Sequence, residues 1–270
     1  MYHKRKKRLP QKKILNIEEI YDLYLTELNN RKVDARYKDK KWFHSSSAGL
    51  CVRKHFFSSV AQEEGTPIDN DTRRLFRLGD LVHEDIQNAY SEYSNTHGLS
   101  ILIEKEIYIH DLNVRRYIDL AVLDENTLYD IKTCNSWKWT KMFGRSGVGP
   151  DVHQQLQLAT YGVWAANHYN LDDIRLVLLY YNKNTSDVKE VDLLSREIMA
   201  EAISYWEDVV FMCESVDKGT KGIDLISGGE HYITPPVQLG VAPVHKWECS
   251  EKYCRFYEIC GGGIHAEMNQ

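Results

Sequence analysis

Apolar residues recur with two periods along this 270-residue chain, one helical and one of strand type. Ile17, Ile20, Tyr21, Tyr24 and Leu25 fall at helical spacing and predict an amphipathic helix over 16–31. Residues 32–44 are polar and read as a loop. Ser45, Ser46 and Ser47 offer N-caps for a helix that carries Cys51 and continues to about Ala61. Residues 65–71 read as a linker. A long helix over 72–93 follows, with Leu75, Leu78, Leu81, Val82 and Ile86 as its apolar stripe. Further helices are predicted over 152–167 and, more highly charged, over 195–214. Strand patterns cover 101–109 and 174–181. Residues 217–246 hold several Gly and Pro and read mostly as loop.

Between the strand at 101–109 and the helix at 152–167 lies a hairpin. Residues 116–123 alternate, the turn formers Asp124, Glu125, Asn126 and Thr127 follow, and the pattern resumes over 128–132. Pairing Leu123 with Leu128 sets Ala121 opposite Asp130 and Asp119 opposite Lys132. Asp119, Asp130 and Lys132 then share one face, and Leu120, Val122, Tyr129 and Ile131 share the other. Helices on both sides of a sheet that contains this hairpin predict one α/β domain with a mixed central sheet. Two carboxylates suit a divalent cation that prefers oxygen ligands, with the Ile131 carbonyl as a third oxygen. A lysine beside them can orient a water or offset charge on a phosphate. The plainer account is an exposed cross-strand Asp–Lys pair.

Composition narrows the field. With 43% hydrophobic and 27% charged residues the chain is of ordinary globular type, and no apolar run is long enough for a membrane span. No apolar segment follows the basic N-terminus, so the expected setting is cytoplasmic. A net charge of −5 argues against nonspecific coating of nucleic acid. Lys4, Arg5, Lys6, Lys7, Arg8, Lys12 and Lys13 nevertheless make residues 1–13 a basic tail. It reads as a solvated arm, a phosphate-binding arm or an import signal. Of six cysteines, Cys249, Cys254 and Cys260 cluster near the C-terminus, which in a reducing cytosol points to metal rather than disulfides. Cys134 and Cys213 are isolated and read as core residues.

Asp119, then ten residues, then Asp130-Ile131-Lys132 resembles the PD-(D/E)XK nuclease signature in its D-x-K form, with Tyr129 where the naming proline would stand. The order of flanking motifs resembles the RecB-like branch. Gly79-Asp80-Leu81-Val82-His83 matches its G-x-x-x-H helix, and Gln157-Leu158-Ala159-Thr160-Tyr161 matches its Q-x-x-x-Y helix. The resemblance implies a restriction-endonuclease-like core over residues 14–270. It also implies His83 as a further metal ligand, with Gln157 and Tyr161 lining the DNA path or supporting Lys132. Tyr117 stands where the family commonly has a small residue. Glu104 and Glu106, on the preceding strand, are either outer acids or plain surface charge.

Cys249, Cys254 and Cys260 follow a C-x4-C-x5-C spacing, which leaves a four-ligand site one thiolate short, and Cys51 is the candidate fourth. The segment from Cys51 to Phe57 resembles the early cysteine segment of RecB-like nucleases of the AddB and CRISPR-adaptation types. There, one early and three late cysteines hold a 4Fe-4S cluster that joins the chain ends. The family's first late gap is shorter by two. Four thiolates serve Zn2+ equally well, and free buried cysteines are a third account. The expected function is an Mg2+- or Mn2+-dependent deoxyribonuclease in DNA repair, recombination or processing, acting on single strands or duplex ends. A helicase, recombinase or integration complex would be its partner. Arg53, Lys54, Arg73, Arg74 and Arg77 are candidate phosphate contacts. Trp137 and Trp139, beside Lys138 and Lys141, are candidate stacking platforms. The rival is a noncatalytic DNA-end-binding or assembly subunit that retains the fold.

Overall fold

Local sequence signals start three of the six described α-helices. A computed structural model describes residues 16–37, 42–214, 221–223, 230–232 and 248–260. The basic tail and most of the Gly/Pro-containing stretch lie outside them, although two short strands, β7 (Lys221–Ile223) and β8 (Glu230–Tyr232), pair within that stretch. Helix α1 (Ile17–Tyr37) opens with a capping box: Glu19 N–H donates to Asn16 Oδ1 at 2.8 Å, and Asn16 N–H donates to Glu19 Oε2 at 3.0 Å. It runs on to Tyr37, into the segment read as loop. Strand β1 (Phe43–His44) follows. Ser45–Ser47 form a 3-10 turn rather than a helix cap, and Cys51 itself is the N-cap of α2 (Val52–His55), which widens into a π turn over Phe56–Val60.

Helix α3 (Asn70–His97) starts where Asp69 accepts Thr72 N–H at 2.7 Å and stops at left-handed Gly98. Its expected stripe is corrected in part by the structure. Leu75, Leu78 and Leu81 are 44–57% exposed, whereas Ile86 packs on the sheet as expected, together with Tyr90 and the buried Gln87 and Ser94. Its N-terminal half carries α1, joined by the Arg74 guanidinium, which donates to Asp22 and Glu18 at 2.7–2.9 Å.

The central sheet is mixed and open. Its strands are β2 (Ile101–Ile109), β3 (Val114–Val122), β4 (Thr127–Cys134), β5 (Arg175–Asn182) and β6 (Val188–Asp192), with β1 at one side. Strands β2, β3 and β4 are antiparallel neighbours, β4 and β5 are parallel, and β6 returns antiparallel. The crossover from β4 to β5 contains α4 (Ser136–Phe143) and α5 (Val152–Tyr169), and α6 (Ser195–Glu214) packs on α5. The chain is therefore α/β, with helices flanking a mixed sheet. Among the described residues no helix is long and apolar enough to cross a membrane.

The core divides across the sheet. Leu120, Val122, Tyr129, Ile131, Val177 and Leu179 pack toward α3. Ile118, Ala121, Leu128, Leu178 and Tyr180 join the larger cluster with α5 and α6. Side-chain alternation cannot place both Ile118 and Leu120, two apart on one strand, on opposite faces. The same switch occurs across the ladder, where Ile103 packs with the α3 cluster and Ile107 with the other. Register is nevertheless kept, Ile103 opposite Leu120 and Lys105 opposite Ile118. Both strands therefore turn over together at the Glu104–Asp119 position, where Glu104 has φ +48°.

Helix α5 reaches the sheet closely at Gly162, where a Cβ would come within 2.8 Å of Met199 Sδ and 3.0 Å of Leu176 Cδ2. Gly162→Val is expected to cost about 1–3 kcal/mol through overpacking, read as a lower urea midpoint. An unchanged midpoint would show that this contact yields freely.

Candidate metal and phosphate site

The site forms where the β3–β4 ladder stops. The hairpin register differs from the expected one by two residues: Leu120 pairs with Tyr129, Ala121 with Leu128 and Val122 with Thr127. The cause is the turn, in which Leu123–Glu125 form a 3-10 turn closed by left-handed Asn126, so that Thr127 already belongs to the strand. Asp119 and Lys132 are thus not opposite one another. On this edge of β3, β1 pairs at Val114 and Arg115 and β4 at Leu120 to Val122, so Arg116 to Asp119 have no strand partner between them. The Asp119 side chain fills that break: its Oδ2 accepts Ile131 N–H at 2.8 Å, replacing a backbone carbonyl. Asp130 and Lys132 share the face toward α5, with Leu120, Val122, Tyr129 and Ile131 on the opposite one, whereas Asp119, at the turn-over of β3, reaches across the break to the Ile131 amide and to His83.

Elements on both sides of the sheet contribute. From α3, His83 Nδ1 lies 3.5 Å from Asp119 Oδ2. Lys132 Nζ lies 2.6 Å from Asp130 Oδ2. That contact is a close ion pair without hydrogen-bond alignment, since the fully buried Oδ2 has no hydrogen-bond partner. From α5, the Gln157 amide links the rest. Its Oε1 accepts Lys132 Nζ–H at 3.0 Å, and its Nε2 donates to Asp130 Oδ1 at 3.0 Å and to the Tyr161 hydroxyl oxygen at 2.8 Å. Gln157 and Tyr161, four residues apart, share the helix face that packs on the sheet, and both are buried. They support Lys132 and Asp130.

Burial dominates the electrostatics. It raises the Asp119 carboxyl to about 7, and the nearby charge of Asp130 adds to the effect. Burial also lowers the His83 imidazole below its ordinary range, which leaves a lone pair for coordination. Arg116, three residues before Asp119, was absent from the sequence reading of the site. Burial opposes its charge, but Tyr161, Asp119 and Asp130 outweigh that and hold the guanidinium ionised, while its buried Nε has no partner. Nothing in the sequence distinguished it from other strand arginines. Tyr117 is 41% exposed and engages Glu106 and Arg115 away from the acids.

A groove of about 520 Å3 opens at the C-terminal end of β4, lined by Leu75, Leu78, Thr133, Trp137, Lys138 and Lys183. Trp137 is exposed, with Lys141 Nζ 5.6 Å from its ring centre. Trp139 instead packs against Phe143. Lys138 pairs with Asp151, and Arg74 is committed to α1.

The comparisons with known proteins add little here. No family model and no curated protein matches the chain. Among solved structures, the crystal structure of SSO0001 is similar, with 18% sequence identity, 82% of this chain and 87% of that chain covered, and a TM-score of 0.47.

The cysteines meet elsewhere. Cys51, Cys249, Cys254 and Cys260 line one cavity of about 20 Å3, with Arg53, Lys54 and Glu248. Arg53 Nη1 donates to Cys260 Sγ at 3.8 Å, Glu248 Oε2 accepts Cys51 N–H at 3.2 Å, and Lys54 Nζ is 3.7 Å from the same oxygen. Arg53 and Lys54 therefore belong to the cysteine end and not to the acidic site. Burial raises the Cys51 thiol to about 12 and the Cys249 thiol to about 11, so both are held as thiols rather than thiolates at neutral pH. Cys134 and Cys213 are buried core residues, as expected. Among the described residues, no group of three or more His, Cys, Asp or Glu stands in an array that could hold a metal ion.

The raised Asp119 carboxyl fixes the sign of a pH effect. The unfolded chain releases this proton near pH 4, whereas the folded chain keeps it to about 7. The folded state thus binds more protons in that window, and stability falls as pH rises through it. With a chelator present, Asp119→Asn is expected to raise the melting temperature at pH 8 by roughly 2–8 °C, with the gain vanishing near pH 4. A gain independent of pH would contradict a buried, protonated acid.

Proposed function

We propose that this protein is a metal-dependent deoxyribonuclease of the PD-(D/E)XK type, RecB-like, that hydrolyses phosphodiester bonds in single strands or at duplex ends. The observation that carries the reading is the grouping of Asp119, Asp130 and Lys132 at the break in the β3–β4 ladder, with His83 and Gln157 reaching it from opposite faces. The donor set fits Mg2+ or Mn2+: two carboxylates, the Ile131 carbonyl and a neutral imidazole. The buried Asp130 Oδ2, held by the Lys132 ammonium at 2.6 Å without hydrogen-bond alignment, is an oxygen that a divalent cation would take over. When bound, such a cation supplies charge neutralisation at the phosphate and acidifies a water. The chain's own residues do the rest. Gln157 holds the Lys132 ammonium beside Asp130, where it can orient the attacking water and offset charge on the phosphate. Tyr161 fixes the Gln157 amide. The groove with exposed Trp137 leads unpaired bases to the site.

The cysteine pocket is proposed to hold a 4Fe-4S cluster, with Zn2+ as the alternative occupant of the same thiols. The support is the convergence of Cys51 with three cysteines about 200 residues later on one cavity, a closure that removes much chain entropy from the unfolded state. Its role is structural.

Two measurements test these readings. Lys132→Ala is expected to slow cleavage of end-labelled DNA by about 10²–10⁴-fold while DNA binding stays within a few-fold. A wild type that binds DNA but cuts neither single nor double strands with Mg2+ or Mn2+ would instead favour a noncatalytic end-binding subunit. Protein purified without oxygen is expected to carry iron and a broad visible absorption, and Cys254→Ser to lose both and melt earlier. Normal iron content with unchanged melting would remove Cys254 from the site.

A further inference from the structure

The two-strand switch of faces lies where Asp119 enters the site. Glu104, opposite it, holds φ +48° in the interior of β2. The other non-glycine residues with positive φ among the described residues are Gln62, Asn113, Asn126, Asn170 and Ser186, and all of them lie in turns, caps or loops. Asparagine enters that region readily, whereas glutamate has no local hydrogen bond to favour it. A long side chain in a left-handed conformation inside a ladder persists only where its surroundings enforce it.

One contact supplies that enforcement. Gln87 is 6% exposed, on the face of α3 against the sheet, one turn beyond His83. Its Nε2 donates to Glu104 Oε1 at 2.9 Å and to the Asp119 carbonyl oxygen at 2.9 Å. A single amide group thus uses its two N–H bonds on the two residues that face each other where the strands turn over. Asp119 is held at its backbone carbonyl by this amide and at its carboxylate by Ile131 N–H.

We propose that Gln87 and Glu104 form a clamp that holds the strained turn-over of β2 and β3 and so positions the Asp119 carboxylate on the Ile131 amide, where it would serve the proposed cation. The clamp matters to catalysis only if the proposed nuclease site is real, but its effect on Asp119 does not depend on a bound metal. Glu104 is assigned as a positioning residue and not as a ligand.

The test is amide exchange at Ile131 without added metal, together with melting and Mn2+ titration calorimetry, on wild type, Gln87→Leu, Glu104→Gly and Glu104→Gln. Glycine adopts positive φ without cost, so Glu104→Gly is expected to melt no lower than wild type. Its Ile131 amide nevertheless exchanges roughly tenfold faster, and its Mn2+ affinity falls about 10–100-fold. Gln87→Leu is expected to show the same exchange and affinity changes. Glu104→Gln keeps an acceptor for Gln87 and is expected to restore both readouts. Wild-type exchange and affinity in Glu104→Gly would overturn the clamp. Restored exchange but lost Mn2+ affinity in Glu104→Gln would make Glu104 a ligand and overturn its positioning role. A wild type that takes up no Mn2+ would count against the metal site alone, because the exchange comparison still decides the clamp.

Discussion

The structure turns on one substitution of hydrogen-bond partner. Strand β4 offers the Ile131 N–H to its neighbour, and where β3 should answer with a carbonyl, the Asp119 carboxylate answers instead. A buried N–H cannot be left unpaired without a penalty of about 1–3 kcal/mol, so the exchange fixes the carboxylate while satisfying the backbone. It also ends the ladder. Beyond Leu120 and Tyr129 the strands no longer pair, and side chains from both faces of the sheet reach the gap between them.

Charge then accumulates at a place the fold has made dry. Asp119 and Asp130 are both buried, and bringing two like charges together in such a setting favours the proton on one of them. The surroundings offset this partly through Lys132 and Arg116 and fully engage neither. Asp130 Oδ2 receives no hydrogen bond, and Arg116 Nε has no partner. Polar atoms rarely stay unsatisfied in a core without a reason. Here two such atoms, on Asp130 and Arg116, belong to the site at the ladder break. Another unsatisfied oxygen, Glu248 Oε1, sits in the cysteine pocket, where four sulfurs and a buried acid meet.

Much of this was legible in the chain because period carries face. The alternation at Leu120, Val122, Tyr129 and Ile131 located the α3 side of the sheet, and the spacing of Gln157 and Tyr161 located the face of α5 that packs on it. Motif order brought His83 and Gln157 to the same hairpin. What was not legible depended on backbone choices that leave no pattern. Asn126 is a fair candidate for a left-handed turn residue, but nothing announced that Thr127 would already be in the strand, and the register moved by two. The odd-numbered isoleucines Ile101, Ile103, Ile107 and Ile109 look like one face around Lys105, yet they are divided between two clusters at Glu104. Helix α4, capped by Asn135 accepting Lys138 N–H, is too short for a periodic signal. Strand β6 is mostly exposed and shows only Val188 and Val191. The stripe of α3 correctly announced a helix but not its whole partner, because Leu75 and Leu78 face a groove.

The proposed chemistry requires the acids at the ladder break to hold a cation. The most direct measurement is a crystal soaked in Mn2+ with diffraction recorded at the manganese edge. The account predicts one anomalous peak bound by the carboxylates of Asp119 and Asp130 and close to His83, with Asp130 Oδ2 drawn off Lys132. Density free of manganese at that point under saturating Mn2+, with Lys132 still seated on Asp130, would contradict it.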